Sequence, residues 1–159
     1  MLLIQGKSLQ TTFYAFFIEP FESTYAISEI FLKFGPLLLI AQALAVGFRA
    51  KIWNIGAEGQ MIMGAVLASS VPVYFTDSES IFLLPSMIIL GAVGGMAWAA
   101  IAAFLKVRFN ANEILVTLML SSVALHILYY LLLGPWKDPM GFNFPQTVMF
   151  QDAALFPPI

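Results

Sequence analysis

The chain has 159 residues, of which 60% are hydrophobic and only 10% charged, and its mean hydropathy is +0.89. A soluble domain keeps about a quarter of its residues charged to coat its surface, so this composition excludes an ordinary soluble globule and predicts a membrane protein. The net charge of −2, with no run of like charge, gives no reason to expect a nucleic-acid partner, and the lack of cysteine excludes disulfides, thiolate catalysis and thiolate metal sites.

At the N-terminus, "LLIQG" after Met1 has neither the basic region nor the long apolar region of a secretory leader, so no cleavable signal is expected. The stretch "SLQTTFYAFFIEPFEST" has an apolar core too short to span and is closed by Pro20 and its acidic neighbours; it predicts a short interfacial helix. Four long apolar stretches follow, at about 30–48, 57–75, 81–105 and 114–133. Each approaches the roughly 20 residues that carry an α-helix across about 30 Å of hydrocarbon. Each is also apolar all round, where barrel strands would alternate. The predicted fold class is therefore all-α: one polytopic transmembrane helical bundle over 1–159, with about four spanning helices. The remaining segment, 134–159, is rich in Pro, Gly and aromatic residues and reads as an irregular loop with its Trp and Phe side chains near the headgroups.

Arg49 and Lys51 lie at the first inter-helix junction and Lys106 and Arg108 at the third, which alternation places on the same side. That side is expected to be cytoplasmic, and the opposite side receives "TDSES" and the long loop. Lys33 is expected to snorkel from near a helix end. Gly91, Gly95, Ala99 and Ala103 recur every fourth residue, a small-residue stripe along which another helix can approach closely.

Two polar blocks interrupt the apolar pattern. In "FRAKIWNIGAEGQMIMGA", Asn54 and Gly56 favour a turn and Glu58 complements the dipole of the helix that follows. A plain turn leaves the density of "NIGAEGQ" unexplained. Gly56 and Gly59 permit close-packed or irregular backbone, so a buried knot involving Asn54, Glu58 and Gln60 weighs equally. In "NANEILVTLMLSSVALH", Asn112 is a natural N-cap for a helix opened by Glu113, with Thr117 and Ser121 at four-residue steps. The stripe is read either as hydroxyls bonded back to the preceding turn or as a face that lines a path or bonds a neighbouring helix. His126 is expected to be a satisfied side chain bonded to Ser122. No metal cluster, catalytic triad or phosphate loop is present, so an enzyme is not expected and no cofactor is implied.

"PLLLIAQALAVGFRAKIWNIGAEGQMIMGA", "FNANEILVTLML" and "GPWKDPMGFNFPQT" together resemble, in order and spacing, the permease subunits of bacterial ABC importers for nucleosides and simple sugars. Within the branched-chain amino acid and ribose-type permease superfamily the resemblance is closest to the nucleoside branch. It implies a multi-pass inner-membrane permease that moves nucleosides or related neutral solutes. The implied partners are a second permease subunit, a cytoplasmic ABC ATPase and an extracytoplasmic solute-binding lipoprotein. It also implies that the chain is truncated at both ends and lacks the region that contacts the ATPase. The sequence departs from the family at Lys51, where glycine is usual, and at Ser121, where asparagine is usual. Two other readings stand beside this one: a sugar-specific permease of the same family, and a membrane scaffold that transports nothing. An ion-coupled transporter would want carboxylates at mid-depth, whereas Glu58 and Glu113 sit near helix ends.

Overall fold

The computed structural model describes residues 9–76, 79–142 and 144–156. Among them are five α-helices, two short 3-10 turns and no strand, as the all-round apolarity predicts. The chain divides into two compact units, 1–50 and 51–159.

In the first unit, α1 (Leu9–Phe17) is the short helix expected before the first span. Phe13 and Phe17, one turn apart, stack with ring centroids 5.0 Å apart. A 3-10 turn at Glu19–Phe21 carries Pro20, whose fixed φ suits a first turn but ends the preceding helix. The chain then enters α2 (Thr24–Arg49), capped by the Ser23 hydroxyl, which accepts from the Ala26 N–H at 3.0 Å. This helix starts six residues before the expected Ile30. Thr24, Ser28 and Glu29 lower the hydropathy but not the helical propagation, and a Glu29–Lys33 pair at 3.9 Å supports the extra turns. Lys33 therefore lies in the body of α2 and not near its end.

The second unit contains α3 (Ala57–Tyr74), α4 (Leu83–Phe109) and α5 (Glu113–Leu133). Helices α2, α4 and α5 are each long and apolar enough to cross a membrane. Helix α3, the other expected span, has 18 residues, with Glu58 and Gln60 in its first turn and Pro72 near its end. At 1.5 Å per residue it is about 27 Å long. Packing distinguishes it from the others, since Gly59, Gly64, Val66 and Pro72 are buried.

Much of that packing is between α3 and α4, through backbone that glycine leaves bare. A Cβ on Gly64 would stand 2.9 Å from the Gly91 carbonyl oxygen, and one on Gly94 would stand 2.9 Å from that of Met63. Lipid offers no hydrophobic drive for helices to associate, so such close approach supplies the attraction through dispersion. The expected stripe divides in two. Gly91 and Gly95 face α3, with a Cβ on Gly95 falling 3.3 Å from the Gln60 carbonyl, whereas Ala99 and Ala103 line a cavity. Helix α4 stops at Asn110, whose φ of 51° is left-handed, and the N–H groups of Asn110 and Ala111 both return to the Leu105 carbonyl. Asparagine tolerates that conformation better than most residues.

The loop after α5 is folded, not irregular throughout. The Asp138 carboxylate accepts from the Met140 N–H at 2.9 Å and from Gln146 Nε2 at 3.3 Å, while the Asp138 N–H donates to the Gln146 carbonyl at 2.9 Å. Trp136 is packed against the end of α3. It is only 6% exposed, because its Nε1 donates to the Tyr74 hydroxyl and its ring meets Tyr74 edge-on. Gln151 Nε2 donates to the Phe75 carbonyl, and Ala154 is buried in a 3-10 turn against α4. Phe142 and Phe144 remain exposed. Residues 157–159 of the expected loop, and Asp77 and Ser78 of "TDSES", lie outside the described residues.

Lys51 opens the second unit with φ at 58°, a conformation that disfavours any side chain with a Cβ. A glycine at this position would carry no such penalty. Lys51→Gly is expected to stabilise the chain by about 0.5–1 kcal/mol, the left-handed penalty offset in part by the freer unfolded glycine chain. A thermal or denaturant midpoint in detergent measures it, and a lower midpoint would contradict the strain.

Candidate functional site

The two polar blocks meet. Residues 52–56 run without helical structure between α2 and α3, and their N–H groups face the stripe at the start of α5. The Trp53 N–H donates to Glu113 Oε1 at 3.1 Å, the Ile55 N–H to Thr117 Oγ1 at 3.2 Å and the Gly59 N–H to Ser121 Oγ at 3.3 Å. Residues four apart on a helix lie one above another, so Glu113, Thr117 and Ser121 present their oxygens in one column. These donors belong to backbone that lacks an intrahelical acceptor, namely the linker and the first turn of α3.

The hydroxyls of the α5 stripe bond in two directions at once. Thr117 Oγ1 accepts from Ile55 and donates to the Glu113 carbonyl at 2.7 Å, while Ser121 Oγ accepts from Gly59 and donates to the Thr117 carbonyl at 3.2 Å. Each hydroxyl therefore bonds back along its own helix and across to α3 or its linker. Ser121 thus makes its contact across to α3 through its hydroxyl. The glycines of "NIGAEGQ" make the approach possible. A Cβ on Gly56 would stand 2.8 Å from the Thr117 carbonyl oxygen, and one on Gly59 would stand 2.7 Å from Ser121 Cα.

The other carboxylate oxygen of Glu113, Oε2, pairs with the Lys106 ammonium from the last turn of α4. Glu113 is 9% exposed and Thr117 5%, so one buried carboxylate ties together the end of α4, the start of α5 and the linker. Beside it, Asn54 Oδ1 accepts from the Gly56 N–H at 2.9 Å, and Asn54 Nδ2 donates to Gln60 Oε1 at 3.2 Å. Asn54, Gln60, Glu113 and Thr117 all line a cavity of about 270 Å³, with Ile52, Trp53, Lys106, Val107 and three alanines of α4 completing it.

Five of the seven candidate residues thus come together: Asn54, Gln60, Glu113, Thr117 and Ser121. Two do not join them. Asn112 is an exposed N-cap, accepting from the N–H groups of Ile114 and Leu115. Glu58, considered as a member of a buried knot, is exposed in the first turn of α3 and makes no side-chain hydrogen bond among the described residues. The helical rotation from Gly59, which faces α5, carries position 58 outward. Its remaining role is electrostatic, at the positive end of the helix dipole, and Glu58→Gln is expected to change stability by no more than about 1 kcal/mol. A larger loss in a detergent melting experiment would restore a buried role. Lys106 and Trp53 were not among the candidates. The opposite charges of Lys106 and Glu113 across one tight turn were the available signal for the first; no side-chain pattern marks the backbone N–H of Trp53. His126 Nδ1 lies 2.7 Å from the Ser122 carbonyl, so it is satisfied by that residue's backbone and not by its hydroxyl.

Apolar helices that pack through glycine, joined by a backbone-to-side-chain polar column at one end, define a polytopic helical membrane protein. Residues 26–157 match the family described as branched-chain amino acid transport system / permease component, and the chain belongs to that family. It is 38% identical over 143 residues to a glucose ABC transporter permease of Haloferax volcanii, covering 90% of this chain. It is 33% identical over 138 residues to a guanosine ABC transporter permease of Bacillus subtilis, covering 87% of this chain. A nucleoside ABC transporter permease of Lactococcus lactis is 29% identical over 109 residues, or 69% of this chain. The chain spans 37%, 39% and 30% of these relatives' own lengths. No solved structure matches.

Proposed function

We propose that the chain forms part of the permease subunit of an ABC importer for neutral solutes, with nucleosides as the first substrate class. The observation that carries the reading is the family match over 26–157, which takes in both polar blocks and the contact between them. The partners follow from that class: a second permease subunit, a cytoplasmic ATPase and an extracytoplasmic solute-binding lipoprotein, in the inner membrane. The permease supplies the path and does no covalent chemistry. Helix α3 crosses the bilayer as a fourth span, its polar first turn sheltered by the column on α5. Asn54, Gln60, Glu113, Thr117 and Ser121 hold the cytoplasmic end of that path in shape. A sugar substrate is the second reading, favoured by the identity to the glucose permease.

Deleting the chain from its host is expected to abolish energy-dependent uptake of labelled guanosine, or of labelled glucose on the second reading. Uptake of both at the parental rate would overturn the proposal and leave the scaffold reading. Orientation is tested in the same cells, since the chain has no cysteine of its own. A membrane-impermeant thiol reagent should label Glu79→Cys from outside and spare Lys51→Cys, and the reverse pattern would invert the topology.

A further inference from the structure

The 270 Å³ cavity is a slot lined by the linker, α3, α4 and α5. Ala99, Ala102 and Ala103 of α4 line it, as do Ile52, Trp53 and Asn54 of the linker. The space exists because α4 presents methyl groups there; larger side chains at these positions would fill it. The lining is largely apolar, with polar groups confined to a few points, which is the usual form of a small-molecule site.

Those points set the chemistry of an occupant. Lys106 and Glu113 neutralise each other, so the slot offers no unpaired charge to an ionic ligand. Asn54 Oδ1 is engaged by the Gly56 N–H and Gln60 Oε1 by Asn54 Nδ2. Gln60 Nε2 has no hydrogen-bond partner among the described residues, and Asn54 Nδ2 retains a second N–H. The free capacity is therefore that of amide donors, side by side, at the edge of an apolar slot. A ring with apolar faces and acceptor atoms on one edge matches this arrangement. A hexose does not, since hydroxyls around its ring would meet alanine methyls and be left unpaired.

We propose that this slot is a binding subsite for a neutral heteroaromatic ring, the base of a nucleoside, whose ring nitrogen or carbonyl accepts from Gln60 Nε2 and Asn54 Nδ2 while its face lies on Ala99 and Ala103. The ligand class rests on the importer reading above, and the lining residues named here lie on the linker, α3, α4 and α5 of one chain.

The test is equilibrium binding of radiolabelled guanosine to the purified chain in lipid nanodiscs, with unlabelled glucose as competitor. Wild type is expected to bind guanosine without competition from glucose. Ala103→Leu fills the slot and should weaken binding by about tenfold or more. Ala100→Leu makes the same change at a position of α4 that does not line the cavity and should bind as wild type. Gln60→Met keeps much of the side-chain volume, removes the amide and should also weaken binding. Circular dichroism and size-exclusion profiles identify any variant that loses binding by unfolding, in which case Ala99→Val is the second slot-filling variant. Absence of guanosine binding to wild type, equal binding by a folded Ala103→Leu, or displacement by glucose would each overturn the subsite. Failure of the importer reading is separate, because it is read as unchanged uptake in the deletion strain whatever this slot binds.

Discussion

Gly59→Val should be among the most damaging single substitutions in the second unit. Even the first side-chain carbon would stand 2.7 Å from Ser121 Cα and 3.1 Å from the Ser121 backbone N, and main-chain atoms inside a helix cannot swing aside as the tip of a flexible side chain can. The helices must separate. Doing so breaks the Gly59–Ser121 hydrogen bond and loosens the Ile55–Thr117 bond one turn away along α5. Overpacking of a closed contact costs about 1–3 kcal/mol, and the lost bonds bring the expected total to about 3 kcal/mol or more. Membrane abundance and the melting midpoint in detergent should both fall, while Glu58→Ala at the neighbouring exposed position should leave both nearly unchanged. Wild-type abundance and melting for Gly59→Val would mean that α3 and α5 do not approach as described.

Glu113→Ala should rank beside it for a different reason. The carboxylate accepts from the Trp53 N–H with one oxygen and pairs with Lys106 through the other, at 9% exposure. Removing it leaves a backbone donor without its acceptor and an ammonium without its counter-charge. Breaking a buried pair costs about 3–5 kcal/mol when both partners are dry. Lys106 is 45% exposed in its side chain and can regain water, so the expected loss is about 2–3 kcal/mol. Glu113→Gln keeps an acceptor for Trp53 and should fall between. Adding Lys106→Met to Glu113→Ala should recover part of the loss, because the unpaired charge is then gone, whereas Lys106→Met alone should destabilise by stranding the carboxylate. If the double variant were as unstable as the sum of the singles, the two residues would not be coupled.

The composition and the uninterrupted apolar runs were sufficient for the all-helical membrane class, because a backbone in hydrocarbon must satisfy its own polar groups and a helix does so within one segment. Helix ends were less legible. The start of α2 extends to Ser23 because capping and helical propagation depend on local backbone bonding, whereas the apolar run records only where lipid contact begins. The residues of the polar column were visible as two blocks, and the spacing of Glu113, Thr117 and Ser121 already placed them on one helical face. What faced them was not visible, because their partners are the backbone N–H groups of residues 53, 55 and 59. Every non-proline residue carries such a donor, so no side-chain pattern marks these three. Exposure was decided by the same docking. Glu58 and Gly59 are neighbours in the chain, yet the contact with α5 buries Gly59 and leaves Glu58 outside. The stripe on α4 divides for the same reason: identical four-residue spacing puts Gly91 and Gly95 against α3 and leaves Ala99 and Ala103 beside a cavity, since the linker, unlike a helix, does not fill the space in front of them.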